Sequence, residues 1–136
     1  MPIEEAIFTR GSTHAGMTGL IGAGNDCRFY PGRVPPEAVL PAASYQRIPG
    51  ADEEPQAMGV GAGVTTARYQ ITAWAATYQM ARDLADQIRA AFARWRGVVA
   101  GVTIQDSLPV LTNEEDEPDA GTFWRSRDFL ISFLEA

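Results

Sequence analysis

Residues 67–92, "ARYQITAWAATYQMARDLADQIRAAF", change their period in the middle. Up to Trp74 the chain alternates. Tyr69, Ile71 and Ala73 share one face, and Arg68, Gln70, Thr72 and Trp74 share the other, which predicts a strand over 64–75. From Thr77 the apolar residues recur every three to four positions. Ala81, Leu84, Ala85, Ile88, Phe92 and Trp95 form one stripe, so the spacing predicts a long helix over about 77–95. Thr77 suits its N-cap and Gly97 its stop. Arg82, Asp86 and Arg89 lie off the stripe and can pair across a turn. A strand that feeds straight into such a helix predicts a helix lying back across a sheet.

The flanking segments extend this pattern. "PIEEAIFTR" (2–10) reads as a short N-terminal helix, with Pro2 at its first position, Glu4 and Glu5 at the positive dipole end, and Gly11 as its stop. A second helical turn is expected over 17–21. Short strands are expected over 28–30, ended by Pro31–Gly32, and over 42–48. Residues 49–63, "PGADEEPQAMGVGAG", have the composition of a mobile loop. Two further strands, 98–105 and 122–134, read as the ends of a hairpin joined by a long acidic loop, 107–120. The reading is one α+β domain, 1–136, with a mostly antiparallel sheet and the long helix packed on one face.

The last strand carries large groups on both faces: Phe129, Ile131 and Phe133 on one, Trp124 and Leu130 on the other. One helix layer covers only one face. A neighbouring subunit is the economical cover for the second.

The 136 residues are 46% hydrophobic and 21% charged, enough for a buried core. No apolar run approaches the ~20 residues of a membrane span, and the acidic N-terminus is unlike a signal peptide, so no membrane role is expected and a cytosolic site of synthesis is. All eleven basic residues are arginine, and the net charge is −6. The acids concentrate in two stretches that hold no base. One contains Asp52, Glu53 and Glu54; the other contains Asp106, Glu114, Glu115, Asp116, Glu117 and Asp119. The remainder is mildly basic. No single basic face for gripping phosphate is visible.

Signals for chemistry are weak. His14 and Cys27 are the only residues of their kinds, too few for a zinc-type site. A Ser-His-Asp triad would need His14, yet no serine stands in a nucleophile-elbow context. "GLIGAGND" (19–26) lacks the lysine and spacing of a phosphate loop. The 114–117 acids lack calcium-loop spacing. No catalytic residue, metal or cofactor is expected.

Three segments together carry a resemblance: "RFYPGRVPPEAVLPAASYQRI" (28–48), 67–92 as quoted above, and "RSRDFLISF" (125–133). In order and spacing they resemble the tail-completion, or tail-terminator, family of long-tailed bacteriophages, prophages and gene transfer agents. The resemblance implies a structural virion protein, not an enzyme. It implies a closed homo-oligomeric ring, typically of six, at the head-proximal end of the tail, assembled in the bacterial cytoplasm. Such a ring caps the tail tube protein, stops elongation and presents the surface that meets a head-completion or neck protein. DNA passes through its lumen without sequence-specific binding. A head-closure or adaptor protein of the neck is the alternative. On this reading Glu114, Glu115, Asp116, Glu117, Asp119, Asp52, Glu53 and Glu54 are lumen or interface candidates, and Trp124 and Leu130 belong to the seam between subunits.

Overall fold

A computed structural model of the chain describes residues 2–48, 64–117 and 122–135. The elements are α1 (Pro2–Thr13), α2 (Ala15–Ile21), a 3-10 turn at Gly24–Asp26, β1 (Phe29–Pro31), β2 (Ala42–Arg47), β3 (Val64–Ala75), α3 (Tyr78–Phe92), β4 (Gly97–Val99), β5 (Val102–Glu117) and β6 (Thr122–Glu135). The strands form one sheet in the order β1-β2-β3-β6-β5-β4. Only β1 and β2 run parallel; the other neighbours are antiparallel. The expected α+β class holds.

The centre of the sheet is the β3–β6 ladder, in continuous register from Val64↔Leu134 to Ala75↔Phe123. Just beyond its end, Thr77 Oγ1 accepts the Met80 backbone N–H at 3.2 Å and caps α3. The helix then folds back over the sheet. Ala81, Leu84, Ala85, Ile88, Ala91 and Phe92 are all buried, against Tyr69, Ile71 and Ala73 of β3 and Phe129, Ile131 and Phe133 of β6. Aromatic rings knit this layer together: Phe92 lies 6.0 Å from Phe129 and 6.3 Å from Phe29 between centroids. Helices α1 and α2 complete it with Ile3, Ala6, Ile7, Met17 and Ile21.

Four expectations are corrected. Gly11 does not stop the first helix, which runs on to Thr13. A Cβ at Gly11 would sit 2.4 Å from the ring of Phe29, so the glycine is there for close packing of α1 on β1. Helix α3 ends at Phe92, not near Gly97. The Ala93 N–H closes the last turn on Arg89, and Arg94 takes a positive φ of 58°. Trp95, counted in the helical stripe, is core but stands outside the helix, edge-on to Phe92 at 5.5 Å. The expected 98–105 strand is split by a two-residue turn at Ala100 and Gly101, both at positive φ as a tight hairpin of this kind requires.

The fourth correction concerns the acidic segment. Its backbone is not loop over 107–117: β5 continues to Glu117 and pairs with β6 to the end. A fourteen-residue β6 needs a partner of similar length for its backbone N–H and C=O groups. Register shifts at Ile104/Asp106 and Pro109/Leu111 accommodate the proline. The remainder of that expected loop, 118–120, and the expected mobile loop at 49–63 lie outside the described residues.

Two outcomes test this packing. Leu84→Ala and Ile88→Ala each destabilise by ~2–5 kcal/mol and Phe92→Ala by ~3–5 kcal/mol in urea denaturation, because each leaves a cavity under α3. Gly11→Ala, favourable by helix propensity alone, instead destabilises by ~1–3 kcal/mol because the Phe29 ring is wedged among Phe8, Tyr45 and Phe92. Unchanged midpoints would mean that the helix face or the α1–β1 contact is misassigned.

Candidate assembly interface

No described helix covers the second face of the sheet. The β-strand period puts there the alternate residues of β2, β3 and β6: Ser44 and Gln46; Thr66, Arg68, Gln70, Thr72 and Trp74; Trp124, Ser126, Asp128, Leu130 and Ser132. Several of their polar atoms bond across strands, although the Ser126 hydroxyl is buried without a partner among the described residues. Gln46 Nε2 donates to Gln70 Oε1 at 3.1 Å, Gln70 Nε2 to Asp128 Oδ1 at 3.3 Å, and Thr66 and Ser132 hydroxyls meet at 2.9 Å. Arg68 sets two nitrogens on Asp128 Oδ2, at 2.7 and 2.8 Å, and Asp128 is only 4% exposed. Trp74 donates its indole N–H to Ser44 Oγ at 3.2 Å and packs on its register partner Trp124 at 5.9 Å.

At the Trp74 end, the 32–41 segment stands over this face. Gly32, at φ 81°, turns the chain out of β1 and donates its N–H to Tyr45 O at 2.8 Å. Between this segment and the sheet lies a groove of about 510 Å³, lined by residues that include Arg33, Pro35, Pro36, Leu40, Gln46 and Trp74.

The edges of the sheet differ. One ends in the short β1, terminated at Pro31. At the other, β4 covers β5 only from Val102 to Ile104. From Asp106 onward no described strand flanks the outer side of β5, although the Arg94 N–H donates to Ser107 O at 2.6 Å. Arg94 and Arg96 both ion-pair with Asp106, at 3.1 and 3.7 Å. Beyond this anchor Leu108 and Val110 are exposed, at 42% and 43%.

The sequence-predicted site residues therefore divide. Trp124 and Leu130 lie on the open sheet face, both half-buried. That face is not the second apolar face expected of β6. Ser126, Asp128 and Ser132 intervene, and Asp128 and Ser132 take part in the cross-strand hydrogen bonds. The backbone of Glu114, Glu115, Asp116 and Glu117 is the distal part of β5, in register with Arg125, Trp124, Phe123 and Thr122. Asp52, Glu53, Glu54 and Asp119 lie outside the described residues. The Arg33–Leu40 groove went unread in the sequence. Its signal was the alternation that put Trp74 and Trp124 on matching faces, beside a proline-rich crossing too short to hide them.

Among the described residues His14 and Cys27 are not brought into a catalytic arrangement. Burial pushes the Cys27 thiol above its ordinary range, only partly opposed by Arg28, which disfavours the nucleophilic thiolate. Burial, and then the nearby Arg10, push the His14 imidazole down. Among the described residues no group of three or more His, Cys, Asp or Glu is placed to hold a metal ion. None of the described helices is long and apolar enough to cross a membrane.

Comparison with known proteins adds two findings. Residues 5–133 match the family model described as tail completion protein gp17. The fold is similar to that of a chain in a solved structure described as the virion of a native gene transfer agent particle, with a TM-score of 0.69, 15% identity, and coverage of 98% of this chain and 93% of that one. No curated protein matches.

The Asp128–Arg68 pair makes the open face testable. Arg68→Leu strands a buried carboxylate and destabilises by about 3 kcal/mol, whereas Arg68→Leu with Asp128→Leu recovers most of that loss. Urea denaturation of the three proteins reads this. A double variant no better than the single would show that the pair organises the face in some other way.

Proposed function

Because the chain belongs to the tail completion protein gp17 family and is thus a structural component of a phage-type virion tail, we propose that it is the ring-forming terminator of that tail. Copies of the chain, six in the arrangement typical of such rings, close at the head-proximal end of the tail tube. They stop its growth and offer a docking surface to a head-completion protein. The family match over nearly the whole chain carries this reading, and the fold shared with a chain of a gene transfer agent virion supports it. Physically, an open polymer stops growing when its last layer is a closed ring whose far surface no longer resembles the near one.

The acids at the distal end of β5, Glu114, Glu115, Asp116 and Glu117, receive an axial place in this proposal, together with Asp119 and the Asp52–Glu54 stretch. Repeated around a ring, they make a negative collar. Screening at physiological salt confines its reach to ~8 Å, so it acts only on what threads or touches the opening. Duplex DNA is such a molecule, and like charge keeps it from adhering during passage. No sequence-specific contact is involved.

Purified tail-tube subunits polymerised with increasing amounts of this protein give shorter tubes with density at one end by negative-stain imaging. Tube lengths that ignore it, with binding instead to filled heads, would make it a neck adaptor. Changing Glu114, Glu115, Asp116 and Glu117 to their amides leaves capping intact but slows or stalls DNA release from assembled particles. If capping itself fails, the acids belong to a docking surface rather than the channel.

A further inference from the structure

Closure of a ring from identical copies needs two different, complementary surfaces on each copy. Resting on the ring reading above, we propose which two these are. The outer edge of β5, at Leu108 and Val110, packs against the 32–40 segment and Trp74 groove of the next copy.

Three observations carry this. First, the sheet order places β5–β4 and β1–β2 at opposite ends of one sheet, which supplies the two different surfaces that head-to-tail closure needs. Second, the exposed large apolar residues fall at these ends. Val98, Leu108 and Val110 lie on the β4–β5 side and Val39 on the 32–40 segment, at 72%, 42%, 43% and 66% exposure; among the described residues Tyr78, at the start of α3, is the one exposed large apolar residue away from these ends. Exposed apolar side chains clustered at the edges of a sheet with a polar open face mark contact surfaces. Third, the charges are complementary. Residues 28–47 hold three arginines and one acid, whereas residues 107–117, beyond the Asp106 that Arg94 and Arg96 already neutralise, hold four acids and no base. Joining one end to the other brings opposite signs together, while a two-fold β5-to-β5 contact would set acid against acid.

The contact is made by side chains rather than by continuing the sheet. β1 is three residues long and ends on Pro31, which has no N–H to give. On the other side, Pro109 and the register shift beside it break the regular edge of β5. The groove, with Pro35, Pro36, Leu40 and Trp74 in its lining, instead offers apolar surface to Leu108 and Val110.

The test pairs two exposed positions. In a Cys27→Ser background, Val39→Cys and Val110→Cys are made singly and together, mixed with tail tubes, and treated with a short bismaleimide linker. The double variant gives a covalent ladder that passes dimer and ends at the ring number, and each single variant gives monomer. Rings on tube ends without that ladder, or dimers from Val110→Cys alone, overturn the seam while leaving the ring. A chain that is monomeric both free and on tube ends overturns the ring and the seam together. Val39→Asp and Val110→Asp supply a second readout. Each weakens assembly by at least about tenfold with an unchanged melting temperature, because a charge is then desolvated in an apolar contact. Full assembly by both variants contradicts the proposal.

Discussion

The apolar stripe of α3 has to be buried, and the chain gives it one place to go. Only Ala76 and Thr77 separate the end of β3 from the first residue of the helix. With so short a connection the helix lies back over β3 and its neighbour β6. Leu84, Ile88 and Phe92 meet Tyr69, Ile71, Phe129 and Ile131 there. That contact chooses which sheet face is core. It thereby chooses the other face, and with it every surface available for assembly.

The open face is quiet in itself. Gln46, Gln70, Thr66, Ser132 and Asp128 bond across β2, β3 and β6, and Asp128 is neutralised by Arg68. Away from the Trp74 groove, a face so hydrogen-bonded has little to gain from a partner that would have to match each bond. Apolar exposure lies instead at the ends of the sheet, where strands run out of neighbours. The β5 edge has a proline, two register shifts and a concentration of acids, which oppose uncontrolled strand pairing. Such an edge favours a surface that supplies both an apolar groove and positive charge.

Much of this was legible in the sequence, for identifiable reasons. The strand–helix switch at Thr77 and the stripe from Ala81 to Phe92 are strong periodic signals, and the structure follows them closely. The strand β3 was readable because Ala67 to Ala73 alternate apolar and polar without interruption. Stops were less legible. Gly11 and Gly97 look like helix terminators by local propensity, yet Gly11 answers to the ring of Phe29, which is remote in sequence. The β4–β5 turn was hidden because Ala100, a residue that ordinarily avoids positive φ, occupies it with Gly101. The acidic segment misled by composition. Charge suggested loop, whereas the length of β6 demanded a long partner strand. The setting of Trp124 and Leu130 among polar neighbours emerges only once register pairs β6 with β3. The Arg33–Leu40 groove needs tertiary contact to exist at all.

The central claim is that this chain closes into a ring on the tail tube through opposite ends of its sheet. Electron cryomicroscopy of the head-proximal terminus of isolated tails tests it most directly. The account predicts a single closed layer of this chain on the last tube layer, with Leu108 and Val110 of each copy against the 32–40 segment of its neighbour. A terminus that lacks this chain, or one holding isolated copies that do not touch, would contradict it.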